Sequence, residues 1–202
     1  MISNTKIFAV TGKPILHSKS PNMFNAMFEF ANIDAAYVRL AAKDAEQAIF
    51  MFKSLGIQGM NVTAPFKEKI IKYLDIIHDE ATILKSVNTI IFKKGKLHGY
   101  NTDYYGVTQS FVDAGIDIQN KSCLVIGAGG AGKAAAYGMH IKGAKVTITN
   151  RTPSKAAKAA KIIGCKHASI DTIEQLVASH EIIISTLHQN INLINEQWLT
   201  KK

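Results

Sequence analysis

Gly127, Gly129 and Gly132 stand at the three glycine positions of a GxGxxG pattern, within the stretch GAGGAGKA at 127–134. Each glycine at this spacing serves a different need: a tight turn, close approach of a pyrophosphate to the backbone, and close packing of a helix on a strand. The context suits that chemistry. An apolar strand is predicted over 123–126, an alanine-rich helix follows the glycines, and a second strand is predicted over 145–149. Free N–H groups at the helix start would meet the pyrophosphate, so Gly127, Ala128, Gly129, Gly130, Ala131 and Gly132 form the candidate cradle. An NAD site carries an acid about 20 residues on, for the ribose 2′-hydroxyl. Here that place reads TNRTPSK, 149–155, with no acid. Arg151 and Lys155 offer cations and Asn150 and Thr152 offer hydrogen bonds, and a guanidinium matches a phosphate with a two-pronged fork. The expected cofactor is NADP rather than NAD.

A dinucleotide site implies hydride transfer, which needs a substrate held beside the nicotinamide and a group that moves a proton. The polar candidates fall in the first half: Ser18 and Ser20, Asn61 and Thr63, Lys67, Asn88, and the run Asn101-Thr102-Asp103. Each lies at or just past a predicted element end, and open α/β sheets bind ligands outside the carboxyl ends of their strands. In NVTAPFK, 61–67, Pro65 delays the next helix and fixes its first turn, which would present Lys67 near Asn61 and Thr63. A lysine acts as general acid or base when its neighbours bring its pKa toward neutrality. A carboxylate opposes that shift but can orient the lysine and share its proton, and Asp103 is the partner on offer. Lys69 and Lys72 read as solvated helix lysines.

The elements that must hold these residues alternate between strand and helix periods. Strands are predicted over 7–10, 37–40, 57–62, 87–92 and 97–100, the last two as a hairpin, with helices over 44–55 and 66–74 and a short one over 79–85. A further helix opens with Ser20 as N-cap and Pro21 as first helical residue. Its Met23, Phe24, Met27, Phe28 and Ala31 recur at helical spacing and read as core. The second half is predicted as helix 104–114, strand 123–126, the glycine turn and its helix, strand 145–149, helix 153–163, strand 165–168, helix 172–178 and strand 181–185. Gly56, Gly115 and Gly164 mark helix ends. The fold class is α/β: an N-terminal substrate-binding domain with a mostly parallel sheet over 1–103, then a Rossmann-type NADP-binding domain over 104–202.

Composition narrows the function classes. The 202 residues are 47% apolar, with net charge +9 and two cysteines, Cys123 and Cys165, in no CxxC pair. Metal binding through sulfur is disfavoured, and a reducing, cytoplasmic setting is expected. No secretory signal or membrane span is read. The lysines are scattered, without an RNP-like aromatic motif, zinc spacing or a basic arm, so the charge points to anionic small molecules rather than nucleic acid.

Together these stretches resemble the shikimate dehydrogenase family. The matching segments are GKPILHSKSP (12–21), NVTAPFK (61–67), VNTI (87–90), GYNTD (99–103), GAGGAGKA (127–134) and NRT (150–152), in the family's order. The resemblance implies interconversion of 3-dehydroshikimate and shikimate with NADPH/NADP, in aromatic amino-acid biosynthesis. It implies that Ser18 and Ser20 hold the substrate carboxylate and that Asn61, Thr63, Asn88 and Asp103 contact its hydroxyls. Lys67 and Asp103 would be the catalytic pair. Relative to the family, the chain is expected to lack the last strands of the nucleotide domain, a glycine- and glutamine-containing substrate segment and final helices. That predicts an unpaired sheet edge, marginal stability or pairing with a second chain, and a monomer or homodimer. The loop STLHQNIN, 185–192, departs from the family's small-residue and proline stretch. Thr186 is its candidate cofactor contact and His188 reads as a loop histidine. Alternatives are a quinate/shikimate dehydrogenase of broader specificity and a non-catalytic NADP- or shikimate-binding fragment.

Overall fold

The computed structural model describes residues 5–187 and 193–199. In chain order the first unit, Met1–Asn101, contains β1 (Lys6–Gly12), α1 (Ser20–Phe30), β2 (Ala35–Ala41), α2 (Ala45–Ser54) and β3 (Gly59–Val62). It continues with β4 (Ile76–Ile77), α3 (Asp79–Leu84), β5 (Thr89–Lys93) and β6 (Lys96–Tyr100). The second unit, Thr102–Lys202, contains α4 (Asp103–Asp113), β7 (Ser122–Ile126), α5 (Gly130–Ile141), β8 (Lys145–Thr149) and α6 (Pro153–Ile163). Then follow β9 (Lys166–Ala168), α7 (Ile173–Ser179), β10 (Ile182–Ser185) and α8 (Glu196–Leu199).

The first unit is a six-stranded mixed sheet in the order β2-β1-β3-β5-β6-β4. β2, β1 and β3 run parallel, β5 and β6 form the antiparallel hairpin, and β4 pairs parallel with β6. The parallel part has its crossovers through α1 and α2, as βαβ connections require. On one face α2 packs Ala48, Ile49 and Phe52 into a core with Met60, Ile70, Ile90 and Leu97. Asp44 caps α2 by accepting from the Gln47 N–H at 2.8 Å, a bond of the kind worth about 1 kcal/mol. On the other face Phe24 and Phe28 of α1 pack with Phe8, Val10, Ile15 and Tyr37.

Four expectations are corrected here. The helix predicted over 66–74 is instead a run of turns ending in a short 3-10 turn, Ile71–Tyr73. Its cause is a long-range bond: the Lys67 carbonyl accepts from the Val87 N–H at 2.9 Å, which withdraws it from a helical ladder. Pro65 therefore sits in a turn, not at a first helical position. Ser20 is the first residue of α1 rather than its cap, which is Lys19. Met23 and Met27 are 54% and 55% exposed and Ala31 is exposed, so of the stripe read as core only Phe24 and Phe28 pack inward. β4 had no signal in its two residues, and its pairing adds a strand the sequence reading lacked.

The second unit is a four-stranded parallel sheet, β10-β7-β8-β9, so β10 and β9 are its edges among the described residues. Small side chains let α5 lie close to this sheet and its neighbours: Ala134, Ala135 and Ala136 are fully buried. At Gly138, an added Cβ would come within 2.7 Å of the Tyr104 carbonyl oxygen, so α4 and α5 approach at backbone contact. α6 ends at Gly164, whose φ of +83° lets its N–H return to the Ala160 carbonyl at 2.8 Å. Among the described residues no helix is long and apolar enough to cross a membrane, and no group of three or more His, Cys, Asp or Glu could hold a metal ion.

Candidate functional site

In the first unit the polar candidates gather at the carboxyl ends of β1, β2 and β3. Asn61 is the third residue of β3, and its amide is held from both sides. The Tyr37 hydroxyl donates to Asn61 Oδ1 at 2.6 Å. Asn61 Nδ2 donates to Thr89 Oγ1 at 3.2 Å and to the Asn88 carbonyl at 3.4 Å. Thr89 Oγ1 in turn donates to Asn88 Oδ1 at 2.9 Å. This chain of donors fixes which end of each amide faces which way. Tyr37 is itself immobilised. Its ring stacks on Phe24 at 4.5 Å, its N–H and carbonyl both bond the Asn25 side chain, and burial pushes its phenol well above the usual range. It therefore acts as a neutral donor.

Thr63 directly follows β3, and its N–H donates to the Thr11 carbonyl at 2.8 Å. Gly12 makes room for it: a Cβ there would lie 2.4 Å from Thr63 Cγ2 and 2.9 Å from the Ala64 carbonyl oxygen. Lys67, half-buried, follows on the turn whose carbonyl is anchored to Val87. Asn88 is 7% exposed, and its backbone bonds both Val62 and Tyr100. Ser18 and Ser20 lie at the entry to α1, their hydroxyl oxygens 3.3 Å apart, and the Ser20 N–H donates to Ser18 Oγ at 3.3 Å. Lys69 and Lys72 are exposed, as read from the sequence. A separate cleft of about 800 Å³, lined among others by Asp44, Glu46, Lys69, Lys72 and Lys85, includes none of Ser18, Ser20, Asn61, Thr63, Lys67 and Asn88.

In the second unit the glycine loop joins β7 to α5. Gly127 has a φ of +113°, and a Cβ there would lie 2.3 Å from Thr186 Oγ1. A Cβ at Gly132 would lie 2.0 Å from the Gly127 carbonyl oxygen. No side chain could be accommodated at either position without moving the loop. Gly129 differs: nothing lies within 4 Å of where its Cβ would be, and as the N-cap of α5 it has no side-chain cap for the first-turn N–H groups. Open space against uncapped N–H groups is what a pyrophosphate needs, so the residues present fit a dinucleotide. Thr186 closes the loop from the other side, its hydroxyl donating to the Ile126 carbonyl at 3.0 Å. Asn150, after β8, accepts from the Ala128 N–H at 3.1 Å and donates to the Thr152 carbonyl at 3.1 Å. Arg151, Thr152 and Lys155 are exposed at the start of α6, whose first turn has no acid. That start favours an anion such as a 2′-phosphate.

Asp103 is the first residue of α4 and half-buried. His188 lies outside the described residues. Three residues that hold the first unit's site went unread in the sequence: Tyr37, Thr89 and Arg39, whose guanidinium donates to the Ser18 carbonyl. Tyr37 and Arg39 share a face two residues apart, but only the register of β2 on β1 and β3 brings that face to Asn61.

Two family models match the chain. Residues 10–90 match the family model for the shikimate dehydrogenase substrate binding domain, and residues 108–202 match that for shikimate / quinate 5-dehydrogenase. The chain is 41% identical over 180 residues to a shikimate dehydrogenase (NADP(+)) of Pyrococcus abyssi, covering 89% of this chain and 67% of that one. It superposes on the crystal structure of shikimate dehydrogenase from Aquifex aeolicus with a TM-score of 0.90 at 34% identity, covering 98% of this chain and 77% of the other. For a Thermus thermophilus shikimate 5-dehydrogenase in complex with NADP(H) and shikimate the TM-score is 0.81 at 30% identity, with 90% and 68% covered.

Proposed function

The chain belongs to the shikimate dehydrogenase family, and from that premise we propose how its own residues divide the work. The protein is an NADP-dependent oxidoreductase that interconverts 3-dehydroshikimate and shikimate, a step of aromatic biosynthesis. When bound, NADPH supplies the hydride for the substrate carbonyl carbon. The carbonyl oxygen must gain a proton as the carbon gains the hydride. Lys67 gives that proton and takes it back in the reverse direction, and Asp103 shares the task by orienting the ammonium group.

Substrate recognition falls to neutral side chains. Ser18 and Ser20 take the carboxylate through their hydroxyls. Asn61, Thr63, Asn88 and Asp103 pair the ring hydroxyls. A site built this way rejects analogues that lack a hydroxyl, because its own groups are then left unpaired. On the cofactor side the loop from Gly127 to Gly132 cradles the pyrophosphate, with the N–H groups at the start of α5 as its donors. Asn150, Arg151, Thr152 and Lys155 take the adenosine end with its 2′-phosphate, and Thr186 lies beside the loop. The observation that carries this reading is the fixed amide chain Tyr37–Asn61–Thr89–Asn88 at the strand ends, because such a preset donor pattern suits a polyol rather than an apolar ligand.

The test is NADP reduction by this chain with shikimate, with quinate and with no substrate, in the native protein and in Lys67→Met. Turnover with shikimate is expected, and Lys67→Met lowers it by about 100- to 10,000-fold while NADP binding is unchanged. Turnover within a few-fold of native in that variant would remove Lys67 from the chemistry.

A further inference from the structure

We propose that Arg39 is a positioning residue for the substrate carboxylate, holding the Ser18 backbone in its binding posture and placing an uncompensated positive charge behind Ser18 and Ser20. The proposal rests on the assignment of the carboxylate to those two serines. Sheet register places Arg39 in the site. Val10 of β1 pairs with Arg39 on one side and with Asn61 on the other, and Asn61 pairs in turn with Thr89. Residues paired across neighbouring strands share a face at about 4.8 Å per strand, so Arg39, Val10, Asn61 and Thr89 form one row. Tyr37 is on that same face and stacks on Phe24 of α1. The chain entering α1 over this face carries Ser18 and Ser20.

Two donors of one guanidinium, Nε at 3.0 Å and Nη2, converge on the Ser18 carbonyl oxygen. The Ser18 N–H is taken by the Ile15 carbonyl at 3.0 Å. Both backbone polar groups of Ser18 are thus committed, and its side chain is held with the Ser20 hydroxyl and N–H in one cluster. The arginine does a second thing. A carbonyl oxygen bare to the site would repel a carboxylate, and here that oxygen is turned into the guanidinium. Among the described residues no carboxylate pairs with Arg39, and its side chain is exposed, so its charge remains available to an incoming anion. Two serine hydroxyls give a carboxylate direction without charge, and a guanidinium next to them supplies the charge.

The experiment compares shikimate with its uncharged methyl ester in the full chain, using Arg39→Met and Arg39→Lys, at saturating NADP. Steady-state rates and equilibrium binding are both measured. Arg39→Met is expected to raise KM for shikimate about ten-fold while kcat stays within about two-fold, because a charge-assisted contact is lost and the reacting end is untouched. KM for the ester rises less, because the ester loses the Ser18 posture but has no charge to lose. Arg39→Lys keeps the charge but not the fork, so its loss on the acid is smaller than that of Arg39→Met. Added salt raises KM for shikimate in the native protein more than in Arg39→Met. Equal losses on acid and ester in Arg39→Met would make Arg39 a loop support only and overturn the proposal, as would no loss at all. If the native chain binds NADP but not shikimate, the substrate assignment itself fails and this proposal falls with it. If the native chain binds shikimate and Arg39→Met binds it equally well, this proposal alone fails.

Discussion

On the proposed assignment of residues, the two units recognise their ligands by opposite means. In the second, the walls of the cradle are backbone: Gly127 and Gly132 have no space for a Cβ, Gly129 opens on empty space, and the donors are main-chain N–H groups at the start of α5. In the first, the recognising groups are side chains that other side chains hold, through the chain from Tyr37 to Asn61, Thr89 and Asn88. The difference follows from the ligands. A pyrophosphate is a large anion with no stereochemistry to read, so aligned N–H dipoles suffice. A polyol presents several hydroxyls at set positions, each of which can donate or accept, so each needs a partner of known polarity. Backbone recognition fails abruptly when space is lost. Side-chain recognition fails by degrees, one bond at a time.

The largest effect expected from this contrast is at Gly132. In Gly132→Ala the new Cβ meets the Gly127 carbonyl oxygen and carbon at 2.0 and 2.7 Å, both backbone, so the loop must shift. Strain on the order of 3 kcal/mol corresponds to about 100-fold weaker NADP binding, read by titration with the cofactor. Shikimate binding in the same protein should be unchanged. A joint loss of both ligands would break the division between the units. Next comes Arg151→Ala, which probes the part of the proposed cofactor site that uses charged side chains. A hydrogen bond to a charged group is worth about 1.5–3 kcal/mol, so NADP affinity falls by roughly 10- to 100-fold. NAD, without the 2′-phosphate, binds as before. Equal losses for the two cofactors would move the 2′-phosphate away from Arg151.

The same contrast decides what could be read from the sequence. A backbone site has narrow residue requirements, so the glycine loop, β8 and α6 are legible one residue at a time. A side-chain site depends on partners distant in the chain. Ser18, Asn61 and Asn88 are visible as polar residues at element ends, but Tyr37 and Arg39 enter only through the β2-β1-β3 register. The misread helix at 66–74 has the same origin, since the bond from Val87 to the Lys67 carbonyl spans 20 positions and leaves no local trace. Helical spacing found the apolar stripe of α1. It could not show that Phe24 and Phe28 meet Phe8 and Tyr37 while Met23 and Met27 fall outside that contact.

A graded failure is the expectation for the first unit, and Tyr37→Phe measures one step of it. The phenylalanine keeps the stack on Phe24, while the 2.6 Å bond to Asn61 is lost and the amide is free to turn. A partly buried oxygen left without its donor costs on the order of 1 kcal/mol, or about five-fold in kcat/KM for shikimate. NADP binding and thermal stability should move little. If Tyr37→Phe instead abolishes activity, the first unit is as brittle as the glycine loop, and the contrast between abrupt and graded failure does not hold.

The smallest effect expected is on stability, and it sharpens the comparison from the other end of β7. There the second unit does use a side-chain network. Glu181 accepts from Lys121 Nζ at 2.8 Å, from the Ser122 N–H at 3.0 Å and from the Ser122 hydroxyl at 3.1 Å, clamping the start of β7 to the start of β10. The lysine first, then the Ser122 N–H, hold the Glu181 carboxyl down at about 2, against 4.5 for an ordinary glutamate. Because the folded value is the lower one, the unfolded chain takes up the proton first as acid is added. The clamp's contribution is therefore complete above pH 4.5 and is lost as the pH falls toward 2. Both partners are solvent-exposed, which screens the pair and keeps the contribution small. In Glu181→Gln the melting temperature should lie slightly below native at neutral pH, with the gap closing as the pH approaches 2. The cofactor loop follows the opposite end of β7, so NADP affinity at neutral pH should be the same in both proteins. A shift in affinity with this variant would mean that the clamp and the cradle are coupled through the strand. The backbone site would then depend on side chains after all.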